Sequence, residues 1–208
     1  LAMPVTEDKE EPVDEVLDLS GRLDAADRLT WDVPPGRWRG IRFVCISYGL
    51  PVYVPSPNSR GLAIDHFDRH AVEDHFGLFT DRLHGELGDD FSKTALDYLY
   101  LCSYELRGLI WTPDFLDEFR RRRGYEMTPY LPVLLGATVK DRETTERFRF
   151  DYRETLSDLL IEECYAAARD VSNRHGLKLV AEAGGPGPPL HNVPVDALKA
   201  QARIDVPR

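Results

Sequence analysis

Long apolar runs are missing from this chain: none approaches the roughly 18 residues that a membrane-spanning helix requires, so no membrane span is expected. Cysteine is scarce as well. Cys45, Cys102 and Cys164 lie far apart in apolar settings, which argues against a disulfide framework or a cysteine metal cluster and for buried free thiols. Positive charge is in deficit, with 26 Lys and Arg against 36 Asp and Glu and a net charge of -10. Nucleic acid is therefore set aside as a partner, because a polyanion would meet repulsion over most of the surface. The one basic cluster, Arg120 to Arg123, falls late in an expected helix, where cations complement the dipole and a structural or solvated role is favoured. The opening LAMPVTEDKEEPVDE lacks the basic patch followed by an apolar core that marks a secretory signal, which says little about the parent protein. A chain opening on Leu1 reads as a fragment or processed product, and the compartment of its parent, secreted or periplasmic locations included, stays open.

What is present suits a globular α/β protein: 42% of residues are hydrophobic and 30% charged, over a length that suffices for one substantial domain. Residues 1–12 are acidic and unpatterned and read as a linker or disordered segment. Residues 13–50 carry short β-rich runs punctuated by Gly and Pro, and Pro34-Pro35-Gly36 between Trp31 and Trp38 predicts a hairpin turn in which the two tryptophans pack. From residue 51 onward the texture changes. Helical spacing of Val72, Phe76, Phe79 and Leu83 predicts a helix starting near Asp68. Thr112 and Pro113 are set to cap and open a helix that ends at Gly124, and Pro129 with Pro132 forbids a regular helix over residues 125–135. A long helix is expected from about Asp141 to His175, stopped by Gly176.

Two runs stand out as strands. ALDYLYLCSYE, from Ala95, has the near-continuous hydrophobicity of a strand buried on both faces, and LKLVAEA, from Leu177, reads as the next one. Each delivers a glutamate at its carboxyl end, Glu105 and Glu182, which is where parallel α/β folds open onto their ligands. A short helix near residues 195–202 and a further strand from Arg203 to Val206 follow. Paired carboxylates suit glycoside hydrolysis, one protonating the leaving oxygen and the other activating water or attacking the sugar. Tyr104, Trp111, His191 and Asn192 are the candidate substrate-binding neighbours, offering apolar faces and hydrogen bonds to a sugar ring. His66 and His70 have a spacing that a metal would accept, but no HExxH pattern accompanies them.

The succession WDVPPGRW, SYE, WTPDFLDEFRRRRGYEMTPYLPVL, RFRFDYRETLSDLL and LKLVAEAGGP resembles glycoside hydrolase family 106, the α-L-rhamnosidases and their relatives, over most of residues 13–208. The resemblance implies a partial (β/α)8 TIM-type barrel over residues 51–208 with a β-rich insertion near the N-terminus. It also implies an oligosaccharide or rhamnosylated glycoside as substrate, the remainder of the parent barrel as partner, an inverting pair of glutamates and calcium near the sugar. Carried over by position, Glu105 matches the glutamate of the SYE-type motif and Glu182 the one ending the following strand. Cys102 stands where the family pattern leads us to expect Asp. The pattern also continues beyond Arg208 to a strand expected to carry another acidic residue, so the 208-residue chain alone is expected to be inactive if that residue is catalytic. Both departures support the rival reading, a carbohydrate-binding relative that keeps the barrel without the chemistry.

Overall fold

The computed structural model describes residues 1–5, 12–47, 49, 51–52, 57–58, 61–88, 90–104, 110–185 and 193–207. In chain order its strands are β1 (Ala2–Pro4), β2 (Trp38–Gly40), β3 (Tyr98–Leu101), β4 (Lys178–Ala181) and β5 (Val206–Pro207). The helices are α1 (Arg69–Leu87), α2 (Phe115–Arg123), α3 (Arg142–Leu159), α4 (Ala167–Arg174) and α5 (Ala197–Gln201). The chain divides into two compact units, residues 1–46 with 113–155, and residues 47–112 with 156–208.

In the first unit β1 pairs antiparallel with β2, Ala2 opposite Gly40 and Pro4 opposite Trp38. The expected disorder of residues 1–12 is thus corrected at its start, where Ala2 and Met3 are buried in a strand; residues 6–11 lie outside the described residues. The hairpin is corrected too. Trp38 finds its partner strand in β1 rather than across the Pro-Gly turn, because no strand forms on the Trp31 side. The two tryptophans still pack, edge to face at 5.4 Å, and Trp38 Nε1–H donates to the Pro34 carbonyl at 3.1 Å. Within residues 13–47 pairing is otherwise confined to single bridges, so the region is poorer in strands than its composition implied.

The core of this unit is aromatic. Phe115 and Phe119 on α2 and Phe148 on α3 are almost completely buried, with Phe119 to Phe148 at 5.7 Å and Tyr130 stacked on Phe148 at 5.4 Å. Each such side chain contributes about 1.5–3 kcal/mol through burial. Asp114, not Thr112, is the residue before the first turn of α2, and Gly124 ends it at φ +81°, which a side chain rarely adopts. The arginine cluster is absorbed by ion pairs: Arg120 with Asp117 and Glu126, Arg121 and Arg122 with Glu118, while Arg123 donates to Thr155. Residues Thr128–Leu135 form a 3-10 helix around Pro132, the irregular form its prolines demanded.

The second unit holds the parallel sheet β3-β4-β5, with Leu99 opposite Leu179 and Val180 opposite Val206. The expected parallel neighbours and the further strand after Arg203 are therefore present. α4 packs on β4, and α1 on α4. Asp68 caps α1 by accepting from His70 N–H at 2.9 Å. The buried stripe of α1 is Val72, Phe76 and Thr80; Phe79 is exposed. Thr80 tolerates burial because its hydroxyl is satisfied within the helix by the carbonyls of Phe76 and Gly77. Between α3 and α4 the chain widens into one π-helical stretch, Leu160–Ala166, that buries Leu160, Ile161, Cys164 and Tyr165. A π segment of this kind inserts into an otherwise regular helix and commonly marks a functional region. No described helix is long and apolar enough to cross a membrane.

The cysteines divide. Cys164 is buried, and burial pushes its thiol up to about 12. Cys45 and Cys102 are exposed, against the expectation of three buried thiols, because apolar neighbours in sequence did not become neighbours in space.

Candidate active site

The register of β3 and β4 decides which side chains share a face. Side chains alternate along a strand, and here Leu99, Leu179 and Ala181 are buried against the helical side while Tyr98, Tyr100 and Lys178 are exposed on the other. The expected burial of β3 on both faces is therefore corrected: its second face is open, with Tyr98 46% and Tyr100 47% exposed. Glu182 follows β4 directly and belongs to this open face, two residues on from Val180. Since Tyr100 stands opposite Val180, Glu182 is its diagonal neighbour, a spacing that long side chains span. The Tyr100 hydroxyl donates to Glu182 Oε1 at 2.5 Å. The backbone continues the pairing one step past the strands, Glu182 N–H donating to the Leu101 carbonyl at 3.2 Å.

The turn that carries Glu182 is fastened from behind. Gly185 N–H donates to the Glu182 carbonyl at 3.0 Å, and Gln201 on α5 donates from Nε2 to the Ala183 carbonyl at 2.8 Å. Gly184, at φ +99°, lies so close to α5 that a Cβ there would come within 2.7 Å of the Ala197 Cβ. α5 is itself held: Asp196 accepts from Lys199 N–H at 3.1 Å, and Asp196 N–H donates to Ser157 Oγ at 2.8 Å. At the opposite end of the sheet Asp205 Oδ2 accepts from Leu179 N–H at 2.8 Å and from Asn173 at 2.9 Å, fixing how β5 meets β4. A carboxylate at that end of a parallel sheet serves stability rather than chemistry.

Beyond β3, Tyr104 is 3% exposed, its ring edge to face with His66 at 5.2 Å and Phe67 at 5.9 Å. Tyr104, the candidate sugar-facing aromatic, thus sits at the strand end with its ring against the 65–67 segment. That segment is tied down by Asp65, which accepts from Phe67 N–H at 2.9 Å and from the Thr112 hydroxyl at 2.7 Å. Thr112 is thereby a buried anchor rather than a helix cap. Burial pushes His66 below its ordinary value, partly offset by the adjacent Asp65 carboxylate, so the imidazole is neutral near pH 7. Trp111 is half-buried.

Of the candidate residues, then, the structure places Glu182 on the open face at the carboxyl end of a parallel strand. Glu105, His191 and Asn192 lie outside the described residues. Tyr100 and Gln201 were not singled out from sequence. Tyr100 was open to discovery, since pairing β3 with β4 and counting two residues on from its partner reaches Glu182; nothing in the sequence marked Gln201. Calcium takes about six to eight oxygen ligands. Among the described residues no three or more His, Cys, Asp or Glu side chains are grouped so as to hold a metal ion, and the exposed Cys102 offers a soft thiol where a carboxylate was expected.

A family model described as alpha-L-rhamnosidase, glycoside hydrolase family 106, matches residues 2–208. The chain belongs to glycoside hydrolase family 106. Among solved structures, that of a rhamnosidase from Novosphingobium sp. PP1Y superposes with a TM-score of 0.75 at 28% identity, covering 95% of this chain and 19% of that one. A curated relative from Formosa agariphila, named "Putative beta-glucuronidase", is 34% identical over 168 residues, 81% of this chain and 14% of its own length. The chain thus spans less than a fifth of either relative.

Proposed function

We propose that the full-length protein containing this chain is a glycosidase that removes terminal α-L-rhamnosyl residues with inversion, Glu105 acting as general acid and Glu182 as general base. The observation that carries this reading is the position of Glu182, the first residue beyond a parallel strand, on the face the helices leave open. If residues 51–208 supply part of a (β/α)8 barrel, that open face becomes the interior and Glu182 stands at the end where such barrels bind substrate. The chemistry then needs a water between Glu182 and the anomeric carbon, a proton delivered to the leaving oxygen by the second carboxyl group, and about 6.5–9.5 Å between the two carboxyls.

The relative named as a glucuronidase supports a second reading, in which the same strand ends act on a β-glucuronide. One experiment separates the two. The full-length protein is offered an aryl α-L-rhamnoside and an aryl β-D-glucuronide, each with added calcium and with a chelator. Aglycone release from the rhamnoside is expected. Release from the glucuronide alone transfers the site to the second substrate, and silence on both overturns catalysis in favour of a carbohydrate-binding relative.

A further inference from the structure

Glu182 is held by a residue outside the carboxylate pair. Tyr100 and Val180 are register partners, and the two-residue alternation of the strands puts Tyr100 and Glu182 on one face as diagonal neighbours. The phenol reaches across that diagonal and donates to Oε1 at 2.5 Å, while the other carboxylate oxygen accepts no hydrogen bond from the described residues. The contact is long in sequence, 82 residues apart, and joins a residue of the paired ladder, Tyr100, to the residue that directly follows it, Glu182, so the pairing of β3 with β4 brings its two ends together.

We propose that Tyr100 is the positioning residue for Glu182: its hydroxyl fixes one carboxylate oxygen and leaves the other to face water or a sugar hydroxyl. The proposal rests on the catalytic reading of Glu182 given above. A phenol that donates to a carboxylate favours the rotamer in which that bond is made, so the oxygen that must receive a proton in the transition state is presented in one direction. Misplacement of a catalytic group by about 1 Å costs on the order of 10²-fold in rate. The ring of Tyr100 contributes the reach and its hydroxyl the direction, which is why phenylalanine is the informative replacement.

The test uses the full-length protein with Tyr100→Phe, Glu182→Gln, the double variant, and Tyr98→Phe as a control on the same open face. On the aryl α-L-rhamnoside, Tyr100→Phe is expected to lower kcat about 10- to 100-fold with KM within about threefold. In the Glu182→Gln background it should cost nothing further, since the two residues act as one unit. Equal losses in both backgrounds, or a Tyr100→Phe variant as fast as the parent, would overturn the proposal. Crystal structures of parent and Tyr100→Phe add a readout that does not depend on activity. Glu182 should leave its single rotamer when the hydroxyl is removed, and an unchanged rotamer refutes positioning. A Glu182→Gln variant that keeps the parent rate removes the catalytic reading itself, and the rotamer comparison still decides whether Tyr100 holds Glu182.

Discussion

Replacing Gly184 with alanine should loosen the turn that carries Glu182. Two costs combine there. The backbone sits at φ +99°, where an L side chain is disfavoured by about 1–2 kcal/mol. The new Cβ would also stand 2.7 Å from the Ala197 Cβ and 3.3 Å from its Cα, atoms with no rotamer freedom to move aside. Overpacking of that kind costs about 1–3 kcal/mol. The sum, about 2–5 kcal/mol, falls on the local docking of α5 against residues 183–185. In peptide-resolved hydrogen exchange of the full-length protein, amides of residues 197–201 should exchange roughly 30- to several-thousand-fold faster, at about 1.4 kcal/mol per factor of ten. The second substitution Ala197→Gly separates the two costs. It relieves the clash and leaves the φ penalty, while itself costing about 1 kcal/mol of helix propensity. A Gly184→Ala variant whose α5 amides exchange at the parent rate would refute the packing argument.

Two further outcomes follow from the same geometry. Asp205→Ala leaves the Leu179 N–H unsatisfied next to a fully buried side chain, which should destabilise the β4–β5 pairing by about 1–3 kcal/mol and raise exchange at Leu179; parent-like protection there would contradict the assignment. Iodoacetamide at pH 8 followed by peptide mapping should label Cys45 and Cys102 quickly and Cys164 only after unfolding, because its thiol is both enclosed and pushed up to about 12.

Much of the second unit follows from local pattern. LKLVA and YLYL are short apolar runs of strand length separated by helices, and a parallel pair is what such an order produces. Gly124 and Gly176 stop their helices at positive φ, as glycine placed after a helical run implies. Features set by long-range partners were hidden. β2 pairs with residues 2–4, some 36 positions away, rather than with its neighbour across the turn. Tyr98 and Tyr100 read as core residues because tyrosine is largely apolar, yet the helices cover only one side of the sheet. Thr80 displaced Phe79 from the buried stripe because a hydroxyl bonded to its own helix loses its cost. At the site, Glu182 was visible as a carboxylate ending a strand. Its partner Tyr100 required the register, and the enclosure of Tyr104 required the fold of the 65–67 segment.

The proposed catalytic base is the Glu182 carboxylate at the end of β4. Its most direct test is the rate of the full-length Glu182→Gln variant on whichever aryl glycoside the parent hydrolyses, read beside its thermal transition. A kcat lower by about 10²- to 10⁴-fold, with the transition unchanged, is expected. A variant that turns over at the parent rate would contradict it.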